Sequence, residues 1–160
     1  MAAGDVPTQM SAFAVPQELL TKDDYYTPKH VFDALGLTFD LDVCAPPGGV
    51  PWIPAARYYT KAEDGLSMPW EGRVWMNPPY SEATHWVRRF IEHGNGVALV
   101  GHSKSAWHQE LWAAADACAF PFERMYFVGG EVFMPVWFAA FGAECVEALR
   151  RVGIVRVRAA

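Results

Sequence analysis

Three things are scarce in this chain, and each shortage excludes something. It has three cysteines, Cys44, Cys118 and Cys145, far apart and without a C-x-x-C pair. That argues against a disulfide framework and for reduced thiols in a cytoplasmic protein. Basic residues are few: 13 Lys and Arg face 18 Asp and Glu, for a net charge of −5. Such a balance excludes binding nucleic acid by bulk charge, though it permits a local basic face around residues such as Arg57, Lys61, Arg88, Arg89 and Lys104. Long apolar runs are missing. No stretch of eighteen apolar residues occurs, and no basic segment leads into an apolar one near Met1, so neither a membrane span nor a signal peptide is expected. The five histidines form no H-x-x-x-H or H-E-x-x-H pattern. His102 and His108 lie six apart, which places them on different faces of a helix, and no metal site is expected.

What the chain does have is apolar surface. Of its 160 residues, 52% are hydrophobic and 14% aromatic, enough for one globular domain with a real core. The aromatic excess suits a large core or walls for a flat ligand. Residues 1–22 alternate small, polar and Pro residues and read as a flexible N-terminal arm, with one helical turn at Gln17–Leu20. Residues 23–160 read as a single domain.

Helices and strands alternate along that domain. Thr27 as cap and Pro28 at the first position open a helix with Val31, Phe32 and Leu35 on its apolar face, ended by Gly36. Phe39–Cys44 alternates like a strand and enters Ala45-Pro46-Pro47-Gly48-Gly49, a sequence that only a loop accepts. A short strand at Arg57–Tyr59 interrupts an irregular segment over 50–70. Val74–Met76 is the next strand. Ser81 caps a helix carried by Trp86, Val87 and Phe90. Val97–Val100 has four apolar residues between breakers, which suits a buried parallel strand. A helix over 102–115, with Ser105 or a neighbour as cap, follows. Strands are then expected at Ala117–Phe120, Met125–Val128 before a Gly129-Gly130 turn, and Val136–Ala140. A helix over 143–151 and an edge strand at Ile154–Val157 complete the domain. This order predicts an α/β fold with a mainly parallel sheet, whose ligand sits beyond the carboxyl ends of the strands. Both unusual loops, 45–49 and 77–80, fall at such ends.

The second loop is Asn77-Pro78-Pro79-Tyr80. By composition alone this tetrapeptide arises in roughly one random chain of this length in two thousand. Its parts suit transfer of a group to a planar amine. The amine's lone pair is delocalised into its ring, so acceptors must bind its two N–H groups and favour the pyramidal form. Asn77 Oδ1 and the Pro78 carbonyl are two such acceptors. Pro78 and Pro79 fix φ and preorganise the loop, and Tyr80 offers a flat face for stacking. The plain alternative is a Pro-rich turn with Asn as a local cap.

The pattern resembles class I, S-adenosylmethionine-dependent amino-methyltransferases. More closely, much of the chain from about Tyr25 to Arg151 resembles the phage-type Dam family of DNA N6-adenine methyltransferases. Three segments carry the resemblance: Tyr26-Thr27-Pro28 with the helix ending Ala34-Leu35-Gly36; Phe39 through Pro46; and Asp64-Gly65-Leu66 followed by Trp70 through Ser81. It implies a Rossmann-like class I methyltransferase fold, a mainly parallel sheet flanked by helices with an antiparallel C-terminal strand. It implies S-adenosylmethionine as cofactor, DNA as partner, and methyl transfer to N6 of a flipped-out adenine. Protection of phage or prophage DNA from restriction, in the host cytoplasm and as a monomer or homodimer, would follow. Cytosine N4, an RNA base or a protein glutamine are alternative acceptors, and a non-catalytic member that binds only cofactor or DNA is another reading.

By the same resemblance, Asn77, Pro78, Pro79 and Tyr80 are the catalytic residues. Tyr26, Thr27, Pro28, Asp42, Cys44, Ala45, Asp64, Gly65 and Asn77 are the cofactor-binding ones. Asp42 faces the methionine end of the cofactor, in a loop without a clean G-x-G, and alternation puts Asp40 on the same face as an alternative. Asp64 accepts from the cofactor's adenine amine, or is a plain Asp-Gly turn. Glu63 is a candidate for the ribose hydroxyls. Ser81, Arg88, Lys104 and Trp107 are candidates for DNA, Lys104 through a phosphate and Trp107 as a stacking wall, against a solvated lysine and a core tryptophan.

Overall fold

The computed structural model describes residues 26–128 and 134–160. The arm over 1–22, its turn at Gln17–Leu20 and the Gly129-Gly130 turn lie outside the described residues. The strands are β1 (Phe39–Asp42), β2 (Ala55–Tyr58), β3 (Val74–Met76), β4 (Gly96–Gly101), β5 (Ala117–Pro121), β6 (Val136–Phe141) and β7 (Gly153–Val157). The helices are α1 (Lys29–Leu35), α2 (Ala83–His93), α3 (Ala106–Ala114) and α4 (Ala143–Leu149). The strands form one sheet in the order β2-β1-β3-β4-β6-β5-β7. The first four are parallel. β6 runs antiparallel to β4 and to β5, and β7 antiparallel to β5. Two strands, not only the C-terminal one, therefore oppose the main direction.

The period-two alternation of strand side chains splits the core into two faces. Val74, Met76, Ala98, Val100, Trp137 and Ala139 point toward α2 and α3, where they meet Val87, Phe90 and Leu111. Trp75, Val97, Leu99, Phe138 and Ala140 point the other way, against Phe32 and Leu35 of α1 and Cys145 and Leu149 of α4. Every residue of β4 is buried, as a strand covered on both faces requires.

Several local expectations fail for physical reasons. Thr27 does not cap α1: Pro28 holds the cap position in extended geometry, without a side-chain cap bond, and the Thr27 hydroxyl lies against Asn77 instead. Ser81 does not cap α2 either. Pro79 sets up a bond from Glu82 N–H to its own carbonyl at 3.1 Å, so Tyr80–Glu82 form a single 3-10 turn and α2 starts at Ala83. Met125–Val128 is not a continuous strand: Tyr126 and Val128 are isolated bridge residues, and Val128 pairs with Tyr26. Its alternation buries Met125 and Phe127 and exposes Tyr126. His102 and His108, expected on different faces of one helix, have ring centroids 5.0 Å apart, because α3 begins only at Ala106 and His102 belongs to the preceding loop.

Candidate active site

The sheet order reverses at β1. The chain goes from β1 outward to β2, then returns to lay β3 on the other side of β1. The loops leaving these strands diverge, and a crevice opens between them. Here it is a cleft of about 560 Å³, within the range of small-molecule sites. Its walls come from three strand ends: Asp42 through Pro47 after β1, Thr60, Lys61 and Asp64–Leu66 after β2, and Asn77, Pro79, Ser81 and Glu82 after β3. Tyr26 and Thr27 close one side, and Val50, Ile53, Trp75 and Trp86 add apolar surface.

Of the proposed cofactor residues, the cleft gathers Tyr26, Thr27, Asp42, Cys44, Ala45, Asp64, Gly65 and Asn77 on its walls. Pro28 is buried beside Thr27 and does not line it. Asp40 is turned away. Its carboxylate accepts from the Arg73 backbone N–H at 2.7 Å, and it is exposed where Asp42 is buried. Of the two acids on β1, only Asp42 lines the cleft. Glu63 does not line the cleft either. Its carboxylate takes the backbone N–H and the hydroxyl of Thr60, which hold it below the usual glutamate range.

Asp42 is 4% exposed. Its Oδ1 accepts from Cys44 N–H at 3.3 Å. Burial dominates, and its pKa is pushed up to about 7. The Cys44 thiol is raised well above its usual value, first by burial and then by the neighbouring Asp42 charge, so it stays protonated and can donate. It does so to the Asn77 main-chain carbonyl at 3.0 Å. On the other flank, Asn77 Nδ2 meets Thr27 Oγ1 at 3.4 Å. The Thr27 carbonyl in turn accepts from Trp52 Nε1 at 2.8 Å.

Asp64 is in the left-handed region at φ 54°, and its carboxylate accepts from the Ser67 hydroxyl at 2.6 Å. The turn reading holds at this residue, which also lines the cleft. Gly65 is held against β1: a Cβ there would stand 2.2 Å from the Val43 carbonyl. Pro78 is buried, and the Tyr80 ring packs over Gly101 at the end of β4, outside the cleft wall.

Of the four candidates for DNA, Ser81 lines the cleft and the other three do not. Lys104 is exposed on the loop after β4. Arg88 makes a two-pronged ion pair with Glu110, at 3.0 and 2.9 Å, which ties α2 to α3. Trp107 is 5% exposed within the core. Sequence reasoning missed Val50, Ile53, Thr60, Lys61, Leu66, Trp75 and Trp86 as cleft walls. The signal available for Trp86 was its place on a helix starting from the Asn77 turn.

Sheet order and strand-end cleft define a Rossmann-like α/β protein with a site sized for a nucleotide-like ligand. The DNA N-6-adenine-methyltransferase (Dam) family matches residues 16–136, about three quarters of the chain, and the chain belongs to that family. It is also 36% identical over 75 residues to the DNA N-6-adenine-methyltransferase of Haemophilus phage HP1 (strain HP1c1). That alignment covers 44% of this chain and 42% of the relative, so the chain spans less than half of that protein's length. No solved structure matches the chain. Among the described residues, no helix is long and apolar enough to cross a membrane, and no cluster of His, Cys, Asp and Glu could hold a metal ion.

Proposed function

We propose that this chain transfers a methyl group from S-adenosylmethionine to N6 of a flipped-out adenine in DNA. One observation supports this above the others. The ends of the adjacent parallel strands β1 and β3 set a buried acid, Asp42, and the amine-binding Asn77 on one cleft, with Cys44 bonded to both. The residues present fit the cofactor. Burial leaves Asp42 short of a positive partner, and an ammonium such as the one on the cofactor's methionine end would supply it. Val50, Ile53, Leu66 and Trp86 offer apolar walls for a nucleoside, and Asp64 an acceptor for an adenine amine.

When bound, the cofactor supplies an electrophilic methyl group on a sulfonium. The protein's task is to present the acceptor nitrogen. Asn77 Oδ1 and the Pro78 carbonyl accept hydrogen bonds from the two N6 hydrogens and turn the lone pair out of ring conjugation; once the nitrogen has taken the methyl from sulfur, one of its protons leaves to solvent. Tyr80, braced on Gly101, stacks on the base. The two prolines hold the acceptors in place beforehand, so orientation supplies most of the acceleration. Because N6 is paired inside duplex DNA, the adenine must leave the helix to reach these groups. In a phage or prophage such methylation would shield DNA from restriction.

The test is transfer of tritiated methyl groups to unmethylated DNA, followed by nucleoside analysis. N6-methyladenine from the wild type, and a loss of about a hundredfold or more in Asn77→Ala, are expected. Label in cytosine, RNA or protein instead, or an Asn77→Ala variant as active as the wild type, would overturn the reading.

A further inference from the structure

Asn77 is held from two sides by residues that belong to neither its own strand nor its own turn. The Cys44 thiol, from the loop after β1, donates to its main-chain oxygen at 3.0 Å. The Thr27 hydroxyl, from the segment before α1, receives its Nδ2 at 3.4 Å. Thr27 is 1% exposed, one of two buried polar side chains in the described core, and is itself anchored through Trp52. Pro28 holds the cap position of α1, and the Thr27 hydroxyl meets Asn77 instead.

We propose that Thr27 and Cys44 are positioning residues for Asn77. Thr27 restrains the Asn77 carboxamide through the contact to its Nδ2. Cys44 fixes the main chain from which the adjoining Pro78 carbonyl is aimed. The inference rests on the reading of Asn77 as the amine acceptor. The chemistry explains why such a clamp matters. A carboxamide free to swing would have to be ordered each time it met the amine, and that ordering would add to the barrier. Cys44 is also the joint of the site, because its backbone N–H bonds Asp42 while its thiol bonds Asn77.

Steady-state methylation of unmethylated DNA, at saturating S-adenosylmethionine, tests this with Thr27→Val, Thr27→Ser, Cys44→Ala and Cys44→Ser in the full chain. Each deleted hydrogen bond is expected to lower kcat about tenfold. KM for DNA should stay within about twofold, because base and backbone contacts survive. The two serine variants, which restore a hydroxyl at the same place, are expected to recover most of the loss. Packing alone predicts a different pattern, in which the isosteric Thr27→Val is as active as the wild type. That outcome, or serine variants no better than their apolar counterparts, overturns the clamp. Should Thr27→Val not fold, the Cys44 pair decides by the same criterion. A wild type that methylates nothing refutes the functional reading instead, so the two failures are distinguishable.

Discussion

Asp42→Asn separates stability from function at one buried position. The carboxyl is 4% exposed, and burial pushes its pKa from the ordinary 3.8 to about 7. A raised carboxyl pKa makes the folded state hold its proton over a range where the unfolded chain has released it. Stability therefore falls as pH rises from about 4 to about 7 and is flat above. At about 1.4 kcal/mol per unit, the upper bound of that loss is about 4 kcal/mol near pH 8. Asparagine is neutral at every pH, and its side-chain oxygen can still accept from Cys44 N–H. Without cofactor, Asp42→Asn should thus be the more stable protein near pH 8, by up to about 4 kcal/mol, or roughly 8–16 °C in Tm for a chain of this size. The advantage should shrink to below about 1 kcal/mol near pH 4, where both forms of residue 42 are neutral. Differential scanning calorimetry of the two proteins across this range reads the difference directly, because the other titrating groups cancel.

The same substitution should cost function. If Asp42 faces an ammonium, removing its charge leaves that group unpaired in a buried site, at about 3–5 kcal/mol. Cofactor affinity measured by calorimetric titration should then fall by a hundredfold or more. A variant less stable than the wild type near pH 8, or one binding cofactor as well as the wild type, refutes the reasoning. The acid is stored at a cost to the empty fold and is stabilised by what it binds.

Two other substitutions discriminate between roles. Trp107→Ala removes a 5%-exposed core side chain and should lower stability by about 3–5 kcal/mol in denaturant unfolding; an intact fold with a selective loss of DNA methylation would instead make Trp107 a wall for the base. Lys104→Ala should raise KM for DNA, leave kcat unchanged and reduce the salt slope of DNA binding by about one, whatever the DNA sequence; an unchanged salt slope would make Lys104 a solvated surface residue.

How far the sequence could be read depends on the range of the interaction. All seven strands and helices α1 to α4 were legible, the helices by their apolar period and the buried strands as short apolar runs between breakers. Helix ends were less so. Thr27 and Ser81 have the composition of caps, but capping is a local preference worth about 1 kcal/mol, and tertiary demands override it. Thr27 is spent on Asn77 across fifty positions, and Pro79 forces a 3-10 turn before α2 can begin. Met125–Val128 alternates like a strand yet holds only isolated bridge residues, because alternation reports which face is buried and not what lies alongside. At the site, Asp42 and Asn77 were readable from their motifs, and their neighbours were not. The apolar walls Val50, Ile53 and Leu66 are of ordinary composition, and only the sheet order brings them to the same cleft.

The proposed DNA substrate has to be reconciled with this chain's net charge of −5. Many of its cations are neutralised within the fold. Arg73 pairs with Glu144, Arg88 with Glu110, Arg150 with Glu147 and Arg158 with Asp116. Arg151 is spent on the carbonyls that end α1, and Arg156 on the Trp112 ring. Lys61 and Lys104 take part in none of the ion pairs among the described residues, and both are exposed. They follow β2 and β4, strands that flank the β1–β3 crevice and run parallel to it, so both lysines leave the sheet at the edge where the cleft opens. What matters for a phosphate backbone is the charge within about a Debye length, roughly 8–10 Å in physiological salt, and not the sum over the molecule. A parallel sheet gathers its loops at one edge, so Lys61 and Lys104 leave it there together, beside the cleft acids Asp42, Asp64 and Glu82.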